Sequence, residues 1–268
     1  MNMLKWEFKK IKTSIILWTI AFVLLQLMYS SFFPSMTSEE GSFLAAKLKF
    51  LPKFFLKMFG MENLDITNIL HYYALQGQFI IILIGSVFGA KIGAGIVVKE
   101  ESEKTAEFLL SKPVTREKII TAKILTLILS IITFDGLIII ANLIFFNIFN
   151  TSEIFDFKLF WLLSLAPLLI HLIIGLISFL ISTIERKLQR ADAIALGITF
   201  TLYSISVLGK LTEKLNFLTF FTPYSYFDPT KIVKTTSLNF SLLLLYIVEC
   251  SILISISYVI FRKKDIYL

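Results

Sequence analysis

Asp135, His171 and Glu249 are three ionisable side chains set near the middle of three of the most apolar stretches in the chain. A charge in hydrocarbon is costly, so such residues usually neutralise one another or serve a path through the membrane. Two carboxyls and an imidazole at similar depth could glue a bundle by hydrogen bonding, with Asn142 a further partner. They could also line a substrate path, relay protons or hold a cation. Cys250, beside Glu249, reads as a small apolar filler. His71 falls in a loop and His171 in an apolar stretch, so they do not form a hydrolase pair. No His-Glu-x-x-His or Gly-x-Ser-x-Gly string occurs. Gly85-Ser-Val-Phe-Gly89-Ala-Lys91 has the wrong spacing for a phosphate-cradling loop and is itself apolar. The sequence therefore offers no catalytic residues, no metal ligand set and no cofactor bound by this chain.

The elements that carry these residues follow from composition. Of 268 residues, 56 % are apolar and 17 % charged, with 27 Phe and a mean hydropathy of +0.81. Soluble domains hold about 45–50 % apolar and 25 % charged residues, so the chain reads as an integral membrane protein, all-α and polytopic. About 20 apolar residues span the hydrocarbon as a helix. Six stretches qualify: Ser14–Phe33, Gln78–Val98, Ile124–Phe149, Phe160–Ile184, Ala191–Gly209 and Phe240–Phe261. They form one transmembrane domain over 1–268. The first has too long an apolar region for a signal peptide and reads as a retained helix.

Orientation follows from Lys and Arg. Sixteen of the 26 lie on one set of ends, including both chain termini, nine lie on the other, and Lys91 falls inside the second span. The richer set belongs in the cytoplasm. The +7 charge is thus the pattern of a membrane protein rather than a nucleic-acid surface. Lys91 lies close enough to the inner end to snorkel. Gly85, Gly89 and Gly93 recur at four-residue spacing in the same span, a face that lets a helix approach a neighbour closely, within the chain or across a dimer.

Between the spans, Leu4, Phe8, Ile11 and Ile15 share one face of Met3–Thr13. The segment reads as an amphipathic helix in the inner headgroup layer or as a basic lead-in to the first span. Pro34–Gly77 should hold short interfacial helices: Lys49, Lys53 and Lys57 form one stripe, Phe50, Phe54, Phe55 and Phe59 another, between Pro52 and Gly60. Lys210–Asn239, with Pro223 and Pro229 among aromatics, should dip into or lie on the membrane edge. Lys99–Lys112 lacks Gly and Pro and is charged at most positions. It predicts a short, stiff cytoplasmic helix ended by Pro113, after which Thr115 can cap the next one.

This last loop resembles one in the ABC-2 type transporter permeases. They carry an acidic run, a Gly-Thr, a Leu-Leu-Ser, then x-Pro-Val-Ser/Thr-Arg, then a Lys seven residues on. The chain matches with Glu100, Glu101, Glu103, Thr105, Leu109-Leu110-Ser111, Pro113-Val114-Thr115-Arg116 and Lys123, and departs at Lys104, where the family has Gly. Leu51-Pro52 with Phe59-Gly60, and Phe220 to Asp228 around Thr222-Pro223-Tyr224, agree more loosely.

The resemblance implies a transmembrane permease subunit, not itself an enzyme, in the plasma membrane of a bacterium. It implies a coupling helix that sits in a groove of a separate ABC ATPase subunit, which would bind ATP and Mg. Glu100, Glu101, Glu103 and Glu107 would meet basic groups there. Phe108 and Leu109 would anchor in the groove, and Thr105, Pro113 and Arg116 would shape the loop. It further implies a second permease chain, in a homo- or heterodimer, and export rather than import. An ion-coupled carrier using Asp135, His171 and Glu249 without ATP is the alternative.

Overall fold

The computed structural model describes residues 2–39, 41, 43, 47, 50, 52, 55–56, 65–103, 114–150, 155–211 and 213–264. Nine α-helices are ordered along these residues: α1 (Asn2–Ser31), α2 (Phe33–Thr37), α3 (Ile69–Gln76), α4 (Gly85–Ser102), α5 (Arg116–Phe149), α6 (Phe157–Ile184), α7 (Leu188–Leu211), α8 (Pro229–Thr235) and α9 (Phe240–Lys263). A π-helical stretch, Gly77–Ile84, joins α3 to α4, and 3₁₀ turns cover Glu213–Phe221 and Pro223–Ser225. Six helices among the described residues are long and apolar enough to cross a membrane, at the six places expected.

Helix ends fall where the sequence supplies caps. The Thr115 hydroxyl accepts from the Lys118 amide and starts α5 eight residues before the expected span. Asp156 caps α6 and Asn239 caps α9 in the same way. Asp228 caps α8, whose first position is Pro229. Each satisfies an amide that the helix itself leaves open. The amphipathic segment Met3–Thr13 is not a separate helix. Nothing in it breaks helical geometry, and it forms the opening turns of the 30-residue α1.

The centre of the bundle is α4 against α6. Across the apolar windows of these helices 67 % is buried, against 11 % in α9, whose outward face is a ladder of exposed Leu, Ile and Val. The glycines explain the intimacy. A Cβ on Gly93 would sit 2.3 Å from the Gly175 carbonyl oxygen, and one on Gly89 2.9 Å from the His171 oxygen. The small stripe of α4 is therefore spent on α6 inside the chain. At the end away from the chain termini, Thr222 donates to the Leu202 carbonyl, Ser206 pairs with Ser225, and Tyr224 and Phe227 are buried. The aromatic segment thus folds onto the bundle, leaving Phe217, Phe220 and Phe221 exposed. Most of the expected interfacial helix around Lys49–Gly60 lies outside the described residues.

Candidate functional site

Two clusters of polar side chains are buried in the bundle, one at the lysine-rich end and one at mid-depth. The first centres on Lys123 of α5, whose side chain is 1 % exposed. Its ammonium faces three acceptors: Glu7 of α1 at 3.0 Å, Glu100 of α4 at 3.0 Å, and the Ile96 carbonyl at 2.7 Å. The ammonium donates to the carbonyl and stands in ion-pair contact with both carboxylates, and a buried charge requires such compensation to be tolerated. Lys10 stands 3.9 Å from Glu100 on the solvent side and offsets the second carboxylate.

A second set of contacts ties the same end to α9. Glu101 pairs with Lys264 at 2.7 Å, and Lys264 also donates to the Glu185 carbonyl at the end of α6. Arg116 donates to the carbonyls of Arg262 and Lys264, two groups that the terminating helix leaves open. Glu117 approaches Arg262 at 3.5 Å. Glu100 and Glu101 thus precede the 104–113 segment and Arg116 follows it, and each is fastened to a different part of the bundle. Glu103 is half exposed and pairs only loosely with Lys99, at 3.6 Å. Thr105, Glu107, Phe108, Leu109 and Pro113 lie outside the described residues.

The mid-depth cluster is small and closed. His171 of α6 is fully buried, with Nδ1 2.9 and 3.0 Å from the two Asp135 oxygens and Nε2 3.0 Å from the Ile81 carbonyl. A carbonyl can only accept, so Nε2 carries hydrogen. One further proton lies between Nδ1 and the carboxylate, and the pair is neutral wherever that proton sits. Ile81 belongs to the π-helical stretch. Gly85 leaves room for the ring, since a Cβ there would come within 2.4 Å of it. Asp135 and His171 are brought together as the sequence suggests. Glu249 is engaged elsewhere: its Oε1 lies 2.9 Å from the Tyr226 hydroxyl, which is also 2.9 Å from the Phe220 carbonyl. Asn142 bonds Tyr73, at 3.3 Å, rather than the pair. No cluster of three metal-binding side chains occurs among the described residues.

Outside the spans, Asp228 and His71 are among the titrating groups set by their surroundings. Burial alone would raise the Asp228 carboxyl, but the Lys210 ammonium at 3.0 Å and hydrogen bonds from Lys210 and Thr230 outweigh it and hold it below the ordinary range. Burial lowers the His71 imidazole, against the smaller opposing pull of Asp65. Its Nδ1 accepts the Asp65 amide hydrogen, which suits the neutral ring.

Glu7 and Asp192 escape a linear reading. Glu7 had a signal, being an acid inside the apolar stripe of Leu4, Phe8 and Ile11. Asp192 had one too. It and Lys91 are opposite charges in two different spans, and the structure places them 3.6 Å apart.

A family model described as ABC-2 family transporter protein matches residues 1–266. No curated protein matches the chain.

Proposed function

The chain belongs to the ABC-2 family of transporter proteins, and from that premise we propose that it couples ATP hydrolysis on a separate subunit to export of a substrate. Membership makes it a multi-pass permease component of an ABC transporter. The finer reading is that the segment between α4 and α5 docks on an ABC ATPase that binds ATP and Mg, with both chain termini on the same cytoplasmic side. Since one chain carries six spans and one such segment, a second permease chain completes the pump, in the plasma membrane of a bacterium.

The observation that carries this reading is the fastening of both flanks of the segment. Glu100 on one side holds Lys123 of α5, which also holds Glu7 of α1, while Glu101 and Arg116 hold the end of α9, whose Lys264 reaches the end of α6. A push received between residues 104 and 113 is then delivered to most of the bundle at once. Glu103 keeps half its side chain in solvent and is available to a partner's basic group. In this reading Glu103 with Thr105, Glu107, Phe108 and Leu109 contacts the ATPase, while Glu100, Glu101, Pro113 and Arg116 pass the movement on. An ion-coupled carrier would need Asp135, His171 and Glu249 to work as one site, and Glu249 bonds Tyr226 instead.

Purification from native membranes in mild detergent tests the proposal. An ABC ATPase should co-purify at stoichiometric yield. Glu103→Lys should loosen that complex while the permease still inserts and folds. Recovery of the permease alone, or a Glu103→Lys complex with unchanged coupling, would overturn it.

A further inference from the structure

A crevice of about 240 Å³ opens beside the Lys123 cluster, between the first turns of α1, the last turns of α4 and the start of α7. Its walls carry Lys10, Lys91 and Lys99 together with Glu103 and Asp192, while Glu7 and Glu100 at its back face the buried Lys123. Three ammonium groups and four carboxylates line it, and the buried Lys123 behind Glu7 and Glu100 brings the region to neutrality while leaving it strongly bipolar. A simple anion or cation gains nothing net from such a wall, whereas a ligand carrying both charges gains at both ends.

The ion pairs inside the crevice differ from those behind it. Lys10–Glu100, Lys91–Asp192 and Lys99–Glu103 stand 3.6 to 3.9 Å apart, and each lysine side chain is more than 40 % exposed. The buried pairs close at 2.7–3.0 Å. Loose, hydrated pairs contribute little, so a ligand can replace them without loss. Asp192 also keeps one buried oxygen, Oδ1, without a hydrogen-bond partner. Along α4, Lys91 and Lys99 are separated by about 12 Å at the helical rise, so charge is offered from the helix end down into the bilayer. Trp18, Ile11 and Leu188 add an apolar flank for a chain to lie against.

We propose that this crevice binds the phosphate-and-ammonium headgroup of a zwitterionic phospholipid, phosphatidylethanolamine in class, from the leaflet that meets the lysine-rich end. The phosphate sits among Lys10, Lys91 and Lys99, and the primary ammonium donates to Asp192 and Glu103. The site shares Glu103 with the coupling proposed above but does not require it, since Lys10, Lys91, Lys99 and Asp192 lie outside that contact.

The test uses the full chain in lipid nanodiscs, with Trp6→Phe and Trp161→Phe so that fluorescence reports from Trp18. Lipids brominated on the acyl chain are compared at equal mole fraction with phosphatidylethanolamine, phosphatidylglycerol or phosphatidylcholine heads. The ethanolamine lipid should quench several-fold more than either of the others. Lys91→Gln with Asp192→Asn should abolish that preference. Lys99→Gln, at an exposed position, should reduce it. Equal quenching by all three heads, or a preference that survives both variants, would overturn the site. Stronger quenching by phosphatidylglycerol would make it a plain basic patch and overturn it as well. Soluble glycerophosphoethanolamine in large excess should leave the quenching in place. Its loss would assign the crevice to a water-borne phosphoamine and overturn the lipid.

Discussion

The two buried clusters are built from the same materials to different ends. At mid-depth, Asp135 and His171 involve α5, α6 and one carbonyl, and every strong donor and acceptor is answered within the pair and Ile81. At the lysine-rich end, Lys123 joins three helices and a further set of contacts joins two more. The first arrangement is a lock between neighbours that already touch. The second is a knot, with a segment of chain entering and leaving it. Burial alone therefore does not mark the cluster that we propose to be functional. What marks it is the number of separate elements that one charge holds, and what hangs from them.

Cutting the knot should give the largest effect. Lys123→Met removes the cation that Glu7 and Glu100 share and leaves Lys10, 3.9 Å from Glu100, to offset two buried carboxylates, a change that costs about 3–5 kcal/mol. Thermal unfolding in detergent, followed by intrinsic fluorescence, should fall steeply. Adding Glu7→Gln and Glu100→Gln removes the orphaned charges and should restore most of the lost stability. If the knot also transmits movement, the triple variant should stay uncoupled in ATPase and transport assays. Full recovery of transport would reduce the knot to glue, like the lock.

The lock depends on close approach of α4 to α6, and glycine replacements separate that cause from hydrogen bonding. Gly93→Ala drives a methyl to 2.3 Å from the Gly175 carbonyl oxygen, backbone against backbone, so the helices must part. Overpacking of this kind costs about 1–3 kcal/mol. Gly95→Ala, two residues away, meets only Leu188 Cδ1 at an ordinary 3.7 Å. There the better helix propensity of Ala, about 1 kcal/mol, should leave the unfolding temperature unchanged or higher. Equal losses at both positions would show that the stripe does not set the packing.

A third pair serves as a control for the knot. Lys210 and Asp228 also stand 3.0 Å apart with the carboxylate buried, but they join the start of α8 to α7 at the end opposite the 104–113 segment. Asp228 titrates lower in the folded chain than its ordinary value of 3.8. Its contribution is therefore complete above that value and is lost as pH falls through the lower folded value. The unfolding temperature should drop below about pH 4, and the drop should be smaller in Asp228→Asn. At neutral pH that variant should weaken the protein without uncoupling ATP hydrolysis from transport. Uncoupling there would mean that any buried ion pair matters, wherever it sits.

Much of this was legible in the sequence, for identifiable reasons. Span number and placement follow from the length of apolar runs, which the bilayer itself measures. The Thr115 cap, the glycine face and the meeting of Asp135 with His171 follow from local rules or from equal depth. The knot was not legible as a knot. Glu7 and Lys123 are 116 positions apart, and nothing local says that an acid in one amphipathic turn reaches a lysine at the start of another span. The continuity of α1 has a plain cause in the lack of any Gly or Pro before Pro34. Glu249 shows the opposite failure. Similar depth suggested company for Asp135, but Tyr226, brought in by the aromatic loop, takes it instead.

The smallest expected effect decides most about the lock. In Asp135→Asn the new amide can donate to His171 Nδ1, while Nε2 keeps its hydrogen for the Ile81 carbonyl. The ring then remains neutral, both of its hydrogen bonds persist, and neither ring nitrogen is orphaned. The loss should stay below about 1 kcal/mol, near the net value of one ordinary hydrogen bond. Asp135→Leu, which strands Nδ1, should cost about 1–3 kcal/mol by the same reasoning. Transport should survive Asp135→Asn, because a lock needs its hydrogen bonds and not its proton. An ion-coupled carrier needs the proton to leave. An Asp135→Asn protein that is stable yet dead for transport would make the lock the working site and the knot the glue.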